Sequence, residues 1–207
     1  ADSVTYELAD AEGQVLATAE GLGTVQLAAN GITPWTPETP ALYTLRVTVT
    51  ANGTADTAEQ RIGIRTIQVS SKTGLLLNGQ PRTMKGGCIH HDLGILGAAD
   101  HAAAERRRIR LMKESGFDAI RAAHNPFGPA FLDACDELGM LVVEEAFDEW
   151  VMGRTSFGLH VTFEQCWEKD LEDMITRDYN HPCIVMWSTG NEVEERDGTA
   201  DGFAWAK

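Results

Sequence analysis

The chain has 207 residues, 43% of them hydrophobic, with a formal net charge of -14 at pH 7; this is apolar enough for a buried core and excludes a disordered chain. Its negative field repels nucleic acid and anionic membrane surfaces, so neither is expected as a partner. No apolar run approaches the roughly 20 residues that span a bilayer, and Ala1 opens no targeting pattern, so any targeting segment is expected upstream or removed.

Residues 4–69 read as β structure. VTYEL, QVLATA, VQLAA, YTLRVTV and AEQRIGI alternate or carry β-branched residues, with turn signals between them at Ala11-Glu12-Gly13, Gly21 to Gly23, Asn30-Gly31 and Asn52-Gly53. This spacing predicts an immunoglobulin-like β-sandwich over 1–69. Such domains run to about 100 residues, so the first strand or strands are expected to be missing.

From 70 to 207 strands alternate with helices, the signature of an α/β domain. Leu75 to Leu77 followed by Asn78-Gly79 predicts a hairpin that introduces it. Parallel strands are then predicted over Arg82 to Ile89, Ala119 to Ala123, Met140 to Glu145 and Ile184 to Trp187. Helices are predicted over His101 to Ser115, Pro129 to Leu138 and Phe163 to Tyr179, the last with Phe163, Trp167, Leu171, Met174 and Ile175 at helical spacing. Four such units make half of an eight-stranded barrel, which needs about 250 residues. The expected chain is therefore a fragment: a β-sandwich followed by a partial TIM (β/α)8 barrel of about four strands. Two open sheet edges favour homo-oligomers. The cysteines Cys88, Cys135, Cys166 and Cys183 form no C-x-x-C pair, which predicts buried free thiols rather than a zinc ribbon or redox motif.

The stretch that organises the chain is IVMWSTGNE, Ile184 to Glu192. A short apolar run predicts a buried strand, with Trp187 in the core, and Asn191 and Glu192 at its C-terminal end, where barrels gather catalytic groups.

Several ordered motifs resemble glycoside hydrolase family 2, the family of β-galactosidases, β-mannosidases and β-glucuronidases. They are Trp35 to Tyr43 (WTPETPALY), Gly63-Ile64-Arg65, Leu77-Asn78-Gly79, and Lys85-Gly86-Gly87 ahead of His90-His91-Asp92. Ala119 to Pro126 (AIRAAHNP), Cys135 to Gly139 (CDELG), Arg177 to Pro182 (RDYNHP) and Trp187 to Glu192 (WSTGNE) complete the set, which covers nearly the whole chain.

The resemblance implies a retaining exo-β-glycosidase of terminal β-galactosides, with a carbohydrate substrate. Such an enzyme places two carboxyl groups about 5 to 5.5 Å apart, one protonating the leaving oxygen and one forming the glycosyl-enzyme bond. Glu192 matches the acid/base, and such a group needs an apolar wall and a neighbouring carboxylate to keep its proton near neutral pH. Asn191 matches the residue that hydrogen-bonds the hydroxyl next to the reacting carbon. The nucleophile belongs to a later strand, and Glu194 and Glu195 share Glu192's loop, so the fragment alone is expected to be inactive. Alternatives are a β-glucuronidase or β-mannosidase of the same family, or a non-catalytic carbohydrate-binding module.

His90 and Asp92, two apart, point the same way on an extended strand, into the barrel mouth, and His91 points opposite; the resemblance implies that His90 and Asp92 face the sugar hydroxyls. A two-His metal site on one strand would want an H-x-H pair, which adjacent histidines do not provide. The resemblance implies that Arg121 holds the nucleophile carboxylate and that His124 contacts substrate hydroxyls. Glu145 matches a strand-end glutamate of the family. Asn125 stands where the family more often has Tyr, and Cys88 where it has Asn. Glu149 falls where some galactosidases bind Mg²⁺, but Val151 stands where the accompanying His would be, so no cofactor is expected. Trp150 is open to two readings, a stacking platform for a sugar face or ordinary packing at the barrel rim.

Overall fold

Asn52-Gly53 and Asn78-Gly79 close two tight hairpins in the first part of the chain. Each pair has positive φ at both positions (50° and 74°, 52° and 75°), the backbone of the two-residue turn whose twist suits paired strands. The computed structural model describes residues 1–193 and divides into two units, Ala1–Arg82 and Thr83–Lys207.

In the first unit, β1 (Ser3–Ala9), β2 (Val15–Glu20), β3 (Tyr43–Ala51) and β4 (Thr54–Ile62) form an antiparallel sheet in the order β2-β1-β3-β4. Asp10 closes the first turn by accepting the amides of Glu12 (3.1 Å) and Gln14 (2.8 Å) on its Oδ1, the local bonding that makes Asp a turn residue. The predicted strand VQLAA is absent. Residues 21–42 hold no strand. Instead the segment is pinned by side chains and by scattered backbone bonds: Thr33 N donates to the Tyr43 hydroxyl at 2.7 Å, and Trp35 N to Ile64 O at 2.8 Å. Pro34, Pro37 and Pro40 lack amide hydrogens for a ladder. Trp35 is fully buried, with Leu8, Tyr43 and Leu77 also in the core. A short sheet follows, β5 (Ile67–Ser70), β6 (Gly74–Leu77) and β7 (Gln80–Pro81), in that order, and contains the predicted hairpin.

The second unit alternates β8 (Gly86–Ile89), α1 (Ala102–Glu114), β9 (Ala119–Ala122), α2 (Pro129–Leu138), β10 (Leu141–Glu145), α3 (Phe163–Asp178) and β11 (Ile184–Ser188). The strands are all parallel, in the order β11-β10-β9-β8. α2 begins with Pro129 in its first turn and stops at Gly139 in the left-handed conformation, as helix-end chemistry predicts. Ile109, Ile120, Phe131, Leu132, Leu141, Val142 and Ile184 are buried. A further cluster joins Ala146, Phe147, Trp150, Phe163 and Met174. The first parallel strand is shorter than predicted, starting at Gly86, and Trp187 is not core: it is 38% exposed. Trp187 lies on β11, the end strand of the described sheet, and is partly open to solvent. All four cysteines are free, Cys135 and Cys183 buried, Cys88 exposed and Cys166 between the two. Among the described residues no helix is long and apolar enough to cross a membrane.

Because strand side chains alternate, Glu144 and Glu145 leave β10 on opposite faces. Glu144 is fully buried; its Oε1 accepts the Phe127 amide at 2.8 Å, and its Oε2 has no partner among the described residues. Asp178, also fully buried, is held by its neighbour Arg177 through Nε and Nη2, each at 2.6 Å. Burial, against the opposing Phe127 hydrogen bond, pushes the Glu144 carboxyl up to about 8 from 4.5, the response of an acid that water cannot reach.

Between pH 4.5 and 8 the unfolded chain ionises Glu144 and the folded chain does not, so stability falls as pH rises, by up to about 1.4 kcal/mol per unit, and levels off above 8. Urea unfolding at pH 5, 6, 7 and 8 should show this slope reduced in Glu144→Gln; equal slopes would mean that Glu144 ionises inside the fold. β8 and β11 are each paired on one side only among the described residues. The 207-residue chain alone is expected to self-associate through these edges, and light scattering at micromolar concentration showing a monomer would contradict this.

Candidate active site

The parallel register sets Glu145, the last residue of β10, beside Ser188, the last of β11, while Arg121 on β9 pairs with Val143 one pleat below. These side chains meet at the C-terminal ends of the strands, and Glu145 is their common acceptor. Its Oε2 takes Arg121 Nε (3.0 Å), Arg121 Nη2 (2.6 Å) and the Ser188 hydroxyl (2.7 Å). Its Oε1 faces His124 Nδ1 at 2.7 Å. Glu145 is wholly shielded from solvent, and four donors are what a buried carboxylate needs in place of water.

Arg121 carries the network to the next loop. Its Nη2 also donates to Asn191 Oδ1 at 3.0 Å, and its Nη1 lies 3.7 Å from the Cys88 thiol. Asn191 is buried, its amide donates to Phe147 O at 3.0 Å, and its Nδ2 lies 3.4 Å from Asp148 Oδ1. A guanidinium donates only, so the carboxamide oxygen must face Arg121 and the NH2 must face away. By the same logic the acceptor Glu145 places the proton of a neutral His124 on Nδ1, leaving Nε2 as the open nitrogen. Glu192 follows at φ 55°, a left-handed conformation that costs a residue with a Cβ about 1 to 2 kcal/mol.

His90 and His91 face different neighbours, but the strand ends at Ile89 and the chain turns, the Asp92 amide donating to His90 O at 2.7 Å, so Asp92 does not continue the alternation. His90 is edge-on to His124, ring centroids 5.1 Å apart, while His91 stacks on Phe127 at 3.9 Å with Nε2 near Asn125 O at 3.3 Å. Asp92 spends Oδ1 on the Gly94 amide at 2.8 Å. From α1, Arg108 reaches the carbonyl oxygens of His90 (3.1 Å) and Asp92 (3.4 Å), balanced by buried Glu105 at 2.6 Å. The structure thus brings Arg121, His124, Asn191 and Glu145 into direct contact, with His90 beside them.

Trp150 is 6% exposed, stacked at 24° on Phe163, with Nε1 donating to Thr189 O at 3.0 Å. This is the packing alternative, with the indole tying the 189–191 loop to the core. Glu149 is buried too, and accepts the Arg154 amide on Oε2 (2.6 Å), the His160 amide on Oε1 (3.2 Å) and His160 Nδ1 on the same oxygen (2.9 Å). Burial works to raise its pKa, but these hydrogen bonds outweigh it and hold the carboxyl below the usual range. Three N–H donors around one carboxylate do not fit Mg²⁺, which demands a shell of oxygen ligands. Elsewhere among the described residues, ligand atoms of Asp133, Asp136 and His181 lie within 4.8 Å. Both Asp136 oxygens are engaged there, by His181 Nδ1 (2.6 Å) and the Cys183 amide (2.9 Å), as part of the fold.

Sequence reading missed Ser188, Arg154 and His160. Ser188 carried a usable signal, since it is the strand's last residue and adjoins Asn191-Glu192. Arg154 and His160 carried none, because they reach the site from a loop whose path no local pattern predicts. Glu194 and Glu195 lie outside the described residues.

Removing the shared acceptor is expected to leave Arg121 without compensation. Glu145→Gln should destabilise the fold by about 2 to 3 kcal/mol, below the 3 to 5 typical of a fully buried pair because Arg121 is half-open to water. Ser188→Ala, which removes one donor of four, should cost about 0.5 to 1.5 kcal/mol. Urea unfolding measures both, and equal losses would contradict the central place of Glu145.

The family model described as glycosyl hydrolases family 2, TIM barrel domain, matches residues 67–207, and that described as glycosyl hydrolases family 2 matches residues 2–65. A β-galactosidase of Bacteroides ovatus is 40% identical over 96% of this chain and 25% of its own length; a putative β-glucuronidase of Formosa agariphila is 36% identical over 90% and 19%. The crystal structure of a glycosyl hydrolase family 2 member from Bacteroides cellulosilyticus superposes with a TM-score of 0.90 at 38% identity, covering 96% of this chain and 27% of that one. A β-D-glucuronidase structure from Dictyoglomus thermophilum gives 0.85 at 28% identity, covering 98% and 36%. The chain thus spans about a fifth to a quarter of the length of these curated relatives. Its antiparallel unit corresponds to the sandwich and its four parallel strands to part of the TIM barrel, and with both models matched in sequence the chain belongs to glycosyl hydrolase family 2.

Proposed function

We propose that this chain carries the acid/base side of the active site of a retaining exo-β-glycosidase that acts on terminal β-galactosides. The observation that supports it is the meeting of Arg121, His124 and Ser188 on Glu145, with Asn191 drawn in by Arg121, at the strand ends beside Glu192. In this reading Glu192 gives its proton to the glycosidic oxygen while a nucleophile from outside these residues attacks the anomeric carbon. Water then attacks that carbon, Glu192 takes its proton, and the carbon–nucleophile bond breaks.

The other roles follow from what each side chain has left to offer. The Asn191 NH2 would donate to the hydroxyl next to the reacting carbon, a contact that strengthens in the transition state. His124 Nε2 would accept from a second hydroxyl, with His90 beside it, and Asp92 would contribute only through an oxygen its turn leaves free. Arg121 would hold the nucleophile ionised. Glu145 sets the orientation of both Arg121 and His124. Similarity to a β-galactosidase at 40% identity favours galactosides; similarity to a putative β-glucuronidase at 36% favours glucuronides as the second reading.

In the intact protein that carries this chain, aryl β-galactosides should be turned over faster than the matching β-glucuronides and β-mannosides. Glu192→Gln should lower kcat/KM on a poorly activated galactoside about 10²- to 10⁴-fold. Residues 1–207 alone should show no turnover. Hydrolysis by that chain, abolished by Glu192→Gln, would overturn the placement of the nucleophile, and a preference for glucuronides would overturn the substrate.

A further inference from the structure

We propose that Arg154 is a positioning residue for Glu192, delivered to it by a loop that Glu149 clamps. The inference rests on the acid/base reading of Glu192 given above. Arg154 lies on the connection between β10 and α3, and three acceptors from two different loops converge on its guanidinium. Its Nη1 pairs with Asp148 Oδ1 at 3.2 Å. Its Nη2 donates to the backbone carbonyl of Asn191 at 3.1 Å and to Glu192 Oε2 at 3.2 Å.

Glu192 needs such a hold. Its side chain is 65% exposed and its backbone is left-handed, so little packing fixes where the carboxyl points. By gripping both the carbonyl of residue 191 and one oxygen of residue 192, the guanidinium ties the carboxyl to its own backbone. It also distinguishes the two oxygens. A guanidinium only donates, so Oε2 is held as an acceptor and the transferable proton is left to Oε1.

The loop is built to put Arg154 there. Glu149 accepts the Arg154 amide itself at 2.6 Å, and its other oxygen takes the amide and ring of His160, closing the loop on one buried carboxylate. The packing inside is tight enough to demand glycine. A Cβ at Gly158 would fall 1.8 Å from Glu149 Oε1, and one at Gly153 would fall 2.1 Å from the His160 ring. The carboxylate that metal chemistry would have claimed therefore serves here as a backbone clamp, and its product is the placement of one side chain.

The test uses the intact protein and two glycosides of its preferred sugar, one with a poor alkyl leaving group and one with a dinitrophenolate that leaves without a proton. Misplacing a general acid slows the first and spares the second. Arg154→Met is expected to lower kcat/KM about 10- to 100-fold on the alkyl glycoside and less than about threefold on the dinitrophenyl glycoside. A purely structural role would lower both alike, and such a result, or no change on either, overturns the proposal. If Arg154→Met fails to fold, Arg154→Gln, which keeps a donor toward the loop, is read by the same criterion. Glu192→Gln measured in parallel separates the two ideas. If that variant shows no dependence on leaving group, the reading of Glu192 falls and Arg154 with it; if it does and the Arg154 variants do not, the Arg154 proposal falls alone.

Discussion

The buried carboxylate of Glu145 is the constraint on which the strand ends depend. A charge shut away from water must be matched by donors, and here they come from β9, from the loop after it and from β11. Satisfying one side chain therefore fixes the relative height of three strands, the rotamer of Arg121 and the ring orientation of His124. Arg121 then passes the constraint on to Asn191. The groups proposed to face a sugar are thus held by contacts they make away from it, which is how a site is pre-organised before substrate arrives.

The two adjacent glutamates of β10 show how one pleat separates fates. Glu145 meets four donors on the barrel face and Glu144 meets one, on the face toward the helices. Paired with a cation, the first is a satisfied charge; short of partners, the second keeps its proton to about pH 8. Further along the same connection, Glu149 is again surrounded by donors, now mostly backbone amides, and becomes the fastener of a loop. Three acids within six residues of one another do different work because their neighbours supply different numbers of N–H groups.

Family membership and a piece of the family's architecture bring a substrate class within reach, but a barrel hosts many chemistries. What narrows the reading is the disposition of particular groups. An amide oriented by a guanidinium, an imidazole oriented by a carboxylate and a free-standing glutamate gripped by Arg154 suit the recognition of neutral hydroxyls and the transfer of a proton. Relatives named as galactosidases and as glucuronidases share these strands, so the choice between their substrates rests on the experiment rather than on this part of the fold.

Much of this was legible in the residues themselves, because local chemistry dictates it. Turn pairs such as Asn52-Gly53 and Asn78-Gly79 have few other conformations to adopt, and alternating strands and helices announce a parallel sheet, whereas the parity of His90 and Asp92 is lost because the strand stops at Ile89 and the chain turns. The ordered motifs around Arg121, His124, Asn191 and Glu192 picked out residues that the fold brings together. Where neighbours in space decide, the sequence was silent or misleading. VQLAA alternates like a strand but joins no sheet among the described residues; Trp187 reads as core but is partly open to solvent; Trp150 reads equally as platform or packing until Phe163 is found beneath it. The hub at Glu145, the donors around Glu149 and the reach of Arg154 to Glu192 join residues 21 to 43, 5 to 11 and 38 positions apart. Contacts that join separate loops leave no periodic trace along the chain, and only folding reveals them.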